Sequence, residues 1–219
     1  MNVLELETSR RDALLAGARR MRVTRAALLY TPGDAADCVF AVASGRFKIV
    51  RTSAGGSESI VGIRNPGDLF GELTWMSGAK RSTSAIALDA GEVWRLEAAG
   101  FEARLRADGA LAASFARGVA LRLAGLEREL TELAGKSVPG RLVDALGRLA
   151  AEHGIPQADG TLHIGLSLTH KDLADIIGTS RETLTRELSV LADVGLLRVA
   201  HRTIVLLAPQ AFPFASRPA

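Results

Sequence analysis

Residues 168–191 read LTHKDLADIIGTSRETLTRELSVL. Thr169 stands where a hydroxyl caps a short helix over 170–177, and Asp172 is placed to reach back to that cap. Gly178 supplies a tight turn. Ser180 caps a second helix with an apolar face of Leu184, Leu188 and Leu191. Two capped helices joined by a short glycine-containing turn form a helix-turn-helix. The following runs LLRVA and RTIVLLA predict a hairpin, which makes the motif winged. Arg181, Glu182, Thr185 and Arg186 fall on the face away from the leucines, at the end of the helix that meets base edges in such motifs. Arginine bonds bidentately to guanine and glutamate accepts from cytosine. Thr169, His170, Ser180 and Thr183, at the two helix starts, are placed for phosphate oxygens. The competing reading makes Arg181 and Glu182 solvated residues of a protein-binding winged helix.

Upstream, RLVDALGRLAAEHG (141–154) is an amphipathic helix ended by Gly154, and GKSVPG (135–140) breaks the chain ahead of it, a natural hinge. Before that break, Ala112, Ala116, Val119, Leu123, Leu126, Leu130 and Leu133 recur at alternating spacings of four and three. That is a heptad seam. The flanking Arg122, Glu127, Arg128, Glu129 and Glu132 suit a solvent-exposed periphery. The seam fits either a helix packed on its own domain or a parallel dimer, and the sustained spacing favours the dimer. PQADGTLH (156–163) reads as a loop, and the tail PQAFPFASRPA as irregular.

Residues 20–98 read as short strands: RRMRVTRAALLY, DCVFAVASG, RFKIVRT, SESIVGIR and EVWRLEA, bounded by Gly, Pro, Asp or Ser. Many short antiparallel strands with this turn density predict a jelly-roll or β-roll. Inside it, GELTWMSGAKRSTS (71–84) brings Glu72, Arg81 and Ser82 together around glycines. Such a turn is either a surface loop with a Glu72–Arg81 ion pair or a cradle for a phosphorylated ligand. The expected organisation is α+β: a roll over 1–100, a long helix and hinge over 101–138, and a winged helix over 139–219.

Composition narrows the field. The chain has 219 residues, 47% of them hydrophobic, with 27 basic and 24 acidic side chains. That balance does not announce nucleic acid, so a DNA reading rests on the motif. The single cysteine, Cys38, excludes an internal disulfide and a four-cysteine metal site. His153, His163, His170 and His201 all lie beyond residue 150, which leaves the roll without histidine for a haem or metal centre. A cupin-like metal enzyme fused to a winged helix is disfavoured on the same ground. No signal-peptide layout opens the chain and no apolar run approaches a membrane span, so a cytoplasmic protein is expected.

The chain resembles the cyclic-AMP receptor / fumarate–nitrate regulator (Crp/Fnr) family of transcription regulators. PGD, SGRFKIV, GELT and RST match landmarks of its roll, and SRETLTREL matches the start of its recognition helix. The resemblance implies a cyclic-nucleotide-binding β-roll, a long dimerisation helix and a winged helix-turn-helix. It places a ribose hydroxyl on Glu72 and a cyclic phosphate on Arg81, with Ser82 and the backbone of Gly71 and Leu73 completing the cradle. It assigns base contacts to Arg181, Glu182 and Arg186 on a palindromic TGTGA-like site. The implied ligand is cyclic AMP or a related nucleotide, with no metal, haem or iron–sulfur cluster. The implied partners are double-stranded DNA, a second copy through helix 110–134, and RNA polymerase, with no membrane. The long helix departs from the pattern. Cyclic-AMP-responsive members place hydroxyl residues where this chain has Leu126 and Glu127, and of the two only Glu127 can accept from an adenine amino group. A regulator active without ligand stays open.

Overall fold

The computed structural model describes residues 2–133, 135–200 and 203–213, with the backbone alone for residue 4 and residues 128–133. The expected seam positions Leu130 and Leu133, the charges at Arg128, Glu129 and Glu132, and His201 therefore fall outside the described side chains. The chain divides into two compact units, Met1–Glu127 and Arg128–Ala219. The division lies within the long helix, ahead of the hinge read at 135–140.

The first unit opens with helix α1 (Thr8–Leu15). The strands follow: β1 (Arg19–Val23), β2 (Leu28–Tyr30), β3 (Cys38–Ser44), β4 (Phe47–Thr52), β5 (Glu58–Arg64) and β6 (Leu69–Phe70). After the one-and-a-half-turn helix α2 (Glu72–Met76) come β7 (Ser84–Ala87) and β8 (Gly91–Glu97). They form two antiparallel sheets of four, in the orders β1-β8-β3-β6 and β2-β7-β4-β5. The expected roll is present. β6 and β7 are additional to the strands read from sequence, because two and four residues make a weak signal.

β3 shows why the roll has two cores. Its residues alternate sides: Cys38, Phe40 and Val42 face the interior with Tyr30, Phe47 and Phe70, while Val39 and Ala41 face the helices. The interior aromatics stack, Phe40 on Phe70 at 5.2 Å and Phe47 on Phe70 at 5.4 Å between ring centroids. Burying Phe47 and Phe70 contributes about 2–3 kcal/mol each. Leu14 of α1 and Phe101 of α3 (Ala98–Ala107) fill the outer core with Leu111 and Phe115 of α4 (Gly109–Leu133).

The helical region read from 101 onward is two helices. Asp108 is extended, and its Oδ1 accepts the amides of Ala110 at 2.9 Å and Leu111 at 3.1 Å, capping α4. On α4 the roll-facing stripe is Leu111, Phe115 and Val119, so Val119, read as a seam position, packs partly on its own domain. Leu121, Leu123 and Leu126 are exposed on the single chain. Contrary to the sequence reading, Gly109–Glu127 is apolar and long enough to cross a membrane by length and composition. Its apolar residues include the buried Leu111 and Phe115.

The second unit holds α5 (Val138–His153), β9 (Gly154–Pro156), β10 (Leu162–Ile164), α6 (His170–Ile177), α7 (Arg181–Asp193), β11 (Leu197–Ala200) and β12 (Thr203–Leu206). Pro139 lies in the first turn of α5, where its missing N–H costs nothing. The 156–163 loop is the tip of a β9–β10 hairpin, and the sheet runs β11-β12-β10-β9. Leu142, Leu146, Leu173, Ile177, Leu184, Leu188 and Leu206 build the core. Phe212 in the tail is buried as well.

Candidate ligand cradle and nucleic-acid interface

The turn within residues 71–84 starts on a glycine. Gly71 has φ +81°, and a Cβ there would lie 2.7 Å from Arg81 Nη1. Only glycine allows both the left-handed backbone and the close approach. Glu72 follows as the first residue of α2 and is 1% exposed. Its Oε1 forms an ion pair with Arg122 of α4, whose Nη2 also donates to Leu69 O at 3.2 Å. Arg122 was expected on the solvated periphery. Burial of Glu72 explains why it turns inward, since an ionised carboxylate in the interior needs a cation.

Glu72 and Arg81 do not pair with each other, so the ion-pair alternative for this turn does not hold in this conformation. Arg81, 3% exposed, reaches across the roll. Its Nη1 donates to Gly71 O and, at 3.2 Å, to Thr74 Oγ1; its Nη2 donates to Cys38 O. The guanidinium lies 4.5 Å from the centroid of the Tyr30 ring. Every one of these partners is formally neutral, and Nε is buried without a partner. Burial pushes the Tyr30 hydroxyl above its ordinary range, opposed by a hydrogen bond with Thr83 and by the Arg81 charge. Burial likewise raises the Cys38 thiol.

The other expected cradle residues are peripheral in this chain. Ser82 and Leu73 are exposed. Glu127 is exposed on α4, about 140° around the helix from Arg122. Leu126, 38% exposed, lies about 40° from Arg122.

In the second unit the helix-turn-helix has the geometry its sequence predicts. Thr169 Oγ1 accepts the Asp172 amide at 3.0 Å, and Asp172 Oδ2 accepts from the Thr169 amide at 2.9 Å and hydroxyl at 2.7 Å. Both Thr169 donors are thus spent on the cap, which takes them from the phosphate role read for that residue. Gly178 has φ +64° and carries the turn. Ser180 Oγ accepts the Thr183 amide at 3.1 Å, and its hydroxyl faces Thr183 Oγ1 at the same distance. Arg181, Glu182, Thr185 and Arg186 are exposed, while Leu184 and Leu188 are buried. The Thr185 hydroxyl donates to Arg181 O at 2.8 Å, so His170 Nδ1, 3.0 Å away, is the donor to Thr185. Glu182 is held below the usual carboxylate range by its own amide and by Ser180, and is ionised at neutral pH.

Sequence reasoning missed Arg122 as the partner of Glu72, and missed Tyr30 and Cys38 as contacts of Arg81. Arg122 had one available signal: it follows the buried stripe Leu111, Phe115, Val119 at helical spacing.

A β-roll closed over a buried arginine, followed in the chain by a long helix and a winged helix-turn-helix, defines a transcription regulator that carries a sensor-type domain in the same chain. The comparisons agree. Residues 20–108 match the cyclic nucleotide-binding domain and residues 140–212 the Crp-like helix-turn-helix domain. The chain is 32% identical to the cyclic AMP receptor protein of Thermus thermophilus, over 80% of this chain and 78% of that one. It is 30% identical to the cAMP-activated global transcriptional regulator Vfr of Pseudomonas aeruginosa, over 89% and 92%. The structure of the c-di-GMP responsive global regulator CLP of Xanthomonas campestris shares the fold, with TM-score 0.81 and 24% identity, covering 92% of this chain and all of that one. The protein belongs to the Crp/Fnr family of transcription regulators.

Proposed function

We propose that the protein acts as a homodimer that binds palindromic double-stranded DNA under the control of an anionic ligand held in the roll. The observation that carries the ligand reading is Arg81, a buried cation with neutral partners and an unpartnered Nε. A buried guanidinium in that state is stabilised by an anion. In the bound state its Nη groups leave the carbonyls of Gly71 and Cys38 for the ligand, and Glu72 offers an acceptor for a hydroxyl. The names of the Thermus and Pseudomonas relatives support cyclic AMP as the first ligand to test. Arg181, Glu182 and Arg186 of α7 read the bases, Ser180 and Thr183 meet phosphate, and the exposed leucines of α4 meet a second copy. RNA polymerase is the partner through which bound protein acts on transcription, and the cytoplasm is the compartment that suits it.

The test is fluorescence anisotropy on a labelled TGTGA palindrome, at fixed salt because affinity falls steeply with ionic strength, with and without saturating cyclic AMP. Tighter binding with the nucleotide supports ligand control. Equal, tight binding in both conditions removes cyclic AMP as the switch. One observation favours a second reading, in which the regulator needs no ligand: Arg81 ties Gly71 to Cys38 across the roll and could serve as a staple alone. Under that reading Arg81→Gln lowers the melting temperature and leaves DNA affinity the same with or without nucleotide.

A further inference from the structure

A second arginine lies beside the cradle, and neither the ion pair nor the Arg81 contacts use it. Arg64 ends β5, and its side chain turns back over the strand, with Nη1 donating to Ile63 O at 3.0 Å. Gly62, two residues earlier, makes room: a Cβ there would stand 2.6 Å from that nitrogen. Nε of Arg64 is buried without a partner, as in Arg81. Arg64 also makes no ion pair with the described residues. The charges bearing on it are Arg122, which opposes its own, then Glu72 and Asp68, and its guanidinium is held below its ordinary range mainly by burial. Glu72 is already paired with Arg122, and Asp68 accepts the Asn65 amide at 2.9 Å in the turn before β6. Strand pairing ties the two arginines to one place: Arg64 stands directly across from Phe47, whose ring faces the roll interior and stacks on Phe70, the residue before Gly71, and Gly71 O accepts from Arg81.

The charges can be apportioned. One carboxylate, Glu72, satisfies one cation, Arg122. Two guanidiniums, Arg64 and Arg81, remain without a carboxylate among the described residues. A buried charge left in that state is costly, and each guanidinium offers a planar pair of donors suited to a carboxylate or phosphate.

We propose that the ligand of the roll is a small molecule carrying two anionic groups, one held by Arg81 and the other by Arg64. The inference rests on the reading of the roll as a ligand cradle. Two sources offer this chemistry, a dicarboxylate and a nucleotide bearing two phosphates.

Calorimetric titration of the intact protein with matched probes tests it. Adenosine 3′,5′-bisphosphate is compared with cyclic AMP, and glutarate with butyrate. The dianionic member of at least one pair binds about tenfold or more tightly than its partner, and the pair that shows the gap identifies the source. Arg64→Leu closes that gap, and Arg64→Lys, which keeps the charge, restores part of it. The apolar replacement also raises the melting temperature of the unliganded protein, so lost binding is not lost folding. Arg81→Gln weakens every probe that binds. If Arg81→Gln leaves binding intact, the ligand is not in the cradle and the reading of the roll fails. If Arg81→Gln removes binding but Arg64→Leu leaves the gap unchanged, only the second anionic site is overturned. Absence of binding by both dianions at millimolar concentration, or equal affinity within both pairs, also overturns it.

Discussion

Arg122 is the residue on which the cradle closes, and its removal is the sharpest test of that geometry. Glu72 is nearly inaccessible to water, so Arg122→Ala leaves an ionised carboxylate buried without its cation. The variant is expected to lose about 3–5 kcal/mol in urea unfolding. Glu72→Gln costs less, because a neutral amide can still accept from Arg122. An equal loss in the two variants would contradict this account. Cys38 gives a pH test. Its thiol titrates higher in the folded protein than the ordinary value of 9.0. Stability from the protonated, buried thiol is therefore complete below about pH 9 and is lost as pH climbs through the folded value. Between pH 8 and 10 the melting temperature of the native protein should fall more steeply than that of Cys38→Ala. Parallel curves would show that the thiol does not titrate in that window.

At the scale of elements, α7 presents the face proposed to read bases because its neighbours fix it: Ser180 caps it and Leu184 and Leu188 anchor it. Arg186→Ala should weaken binding to the palindrome by about 1–3 kcal/mol and relax base preference at one position of each half-site. A uniform loss on every sequence would mean that Arg186 meets phosphate. The helix-turn-helix was legible in the sequence because its determinants are local: two capping side chains, a carboxylate three residues on, and a left-handed glycine. The roll was legible as a class, from strand composition and turns. The break at Asp108 was passed over although Asp108–Gly109 is a turn-forming pair: the alanines, leucines and arginines on either side are good helix formers, and the cap shows only once the Asp108 carboxylate meets the amides. The cradle was half legible. Gly71, Glu72 and Arg81 lie within one short stretch, whereas the partnership of Glu72 with Arg122 joins residues 50 positions apart. Only the packing of α4 on the roll brings those two together.

For the whole molecule, the exposed leucines of α4 predict assembly. Leu123 is 57% exposed on the single chain, and leucines at heptad spacing are covered in a parallel pair. Leu123→Glu should sediment as a monomer and bind the palindrome about a hundredfold more weakly, because two half-sites are no longer engaged together. A variant that stays dimeric would move the interface elsewhere. The same helix carries Arg122, one turn before Leu126. Over four residues an α-helix behaves as a rigid strut about 6 Å long, so a displacement at one end is delivered at the other almost undiminished. If, as proposed, a ligand hydroxyl draws Glu72 away from Arg122, the inner end of that strut is released, and the exposed leucines farther along it are expected to settle at a new pitch against whatever faces them.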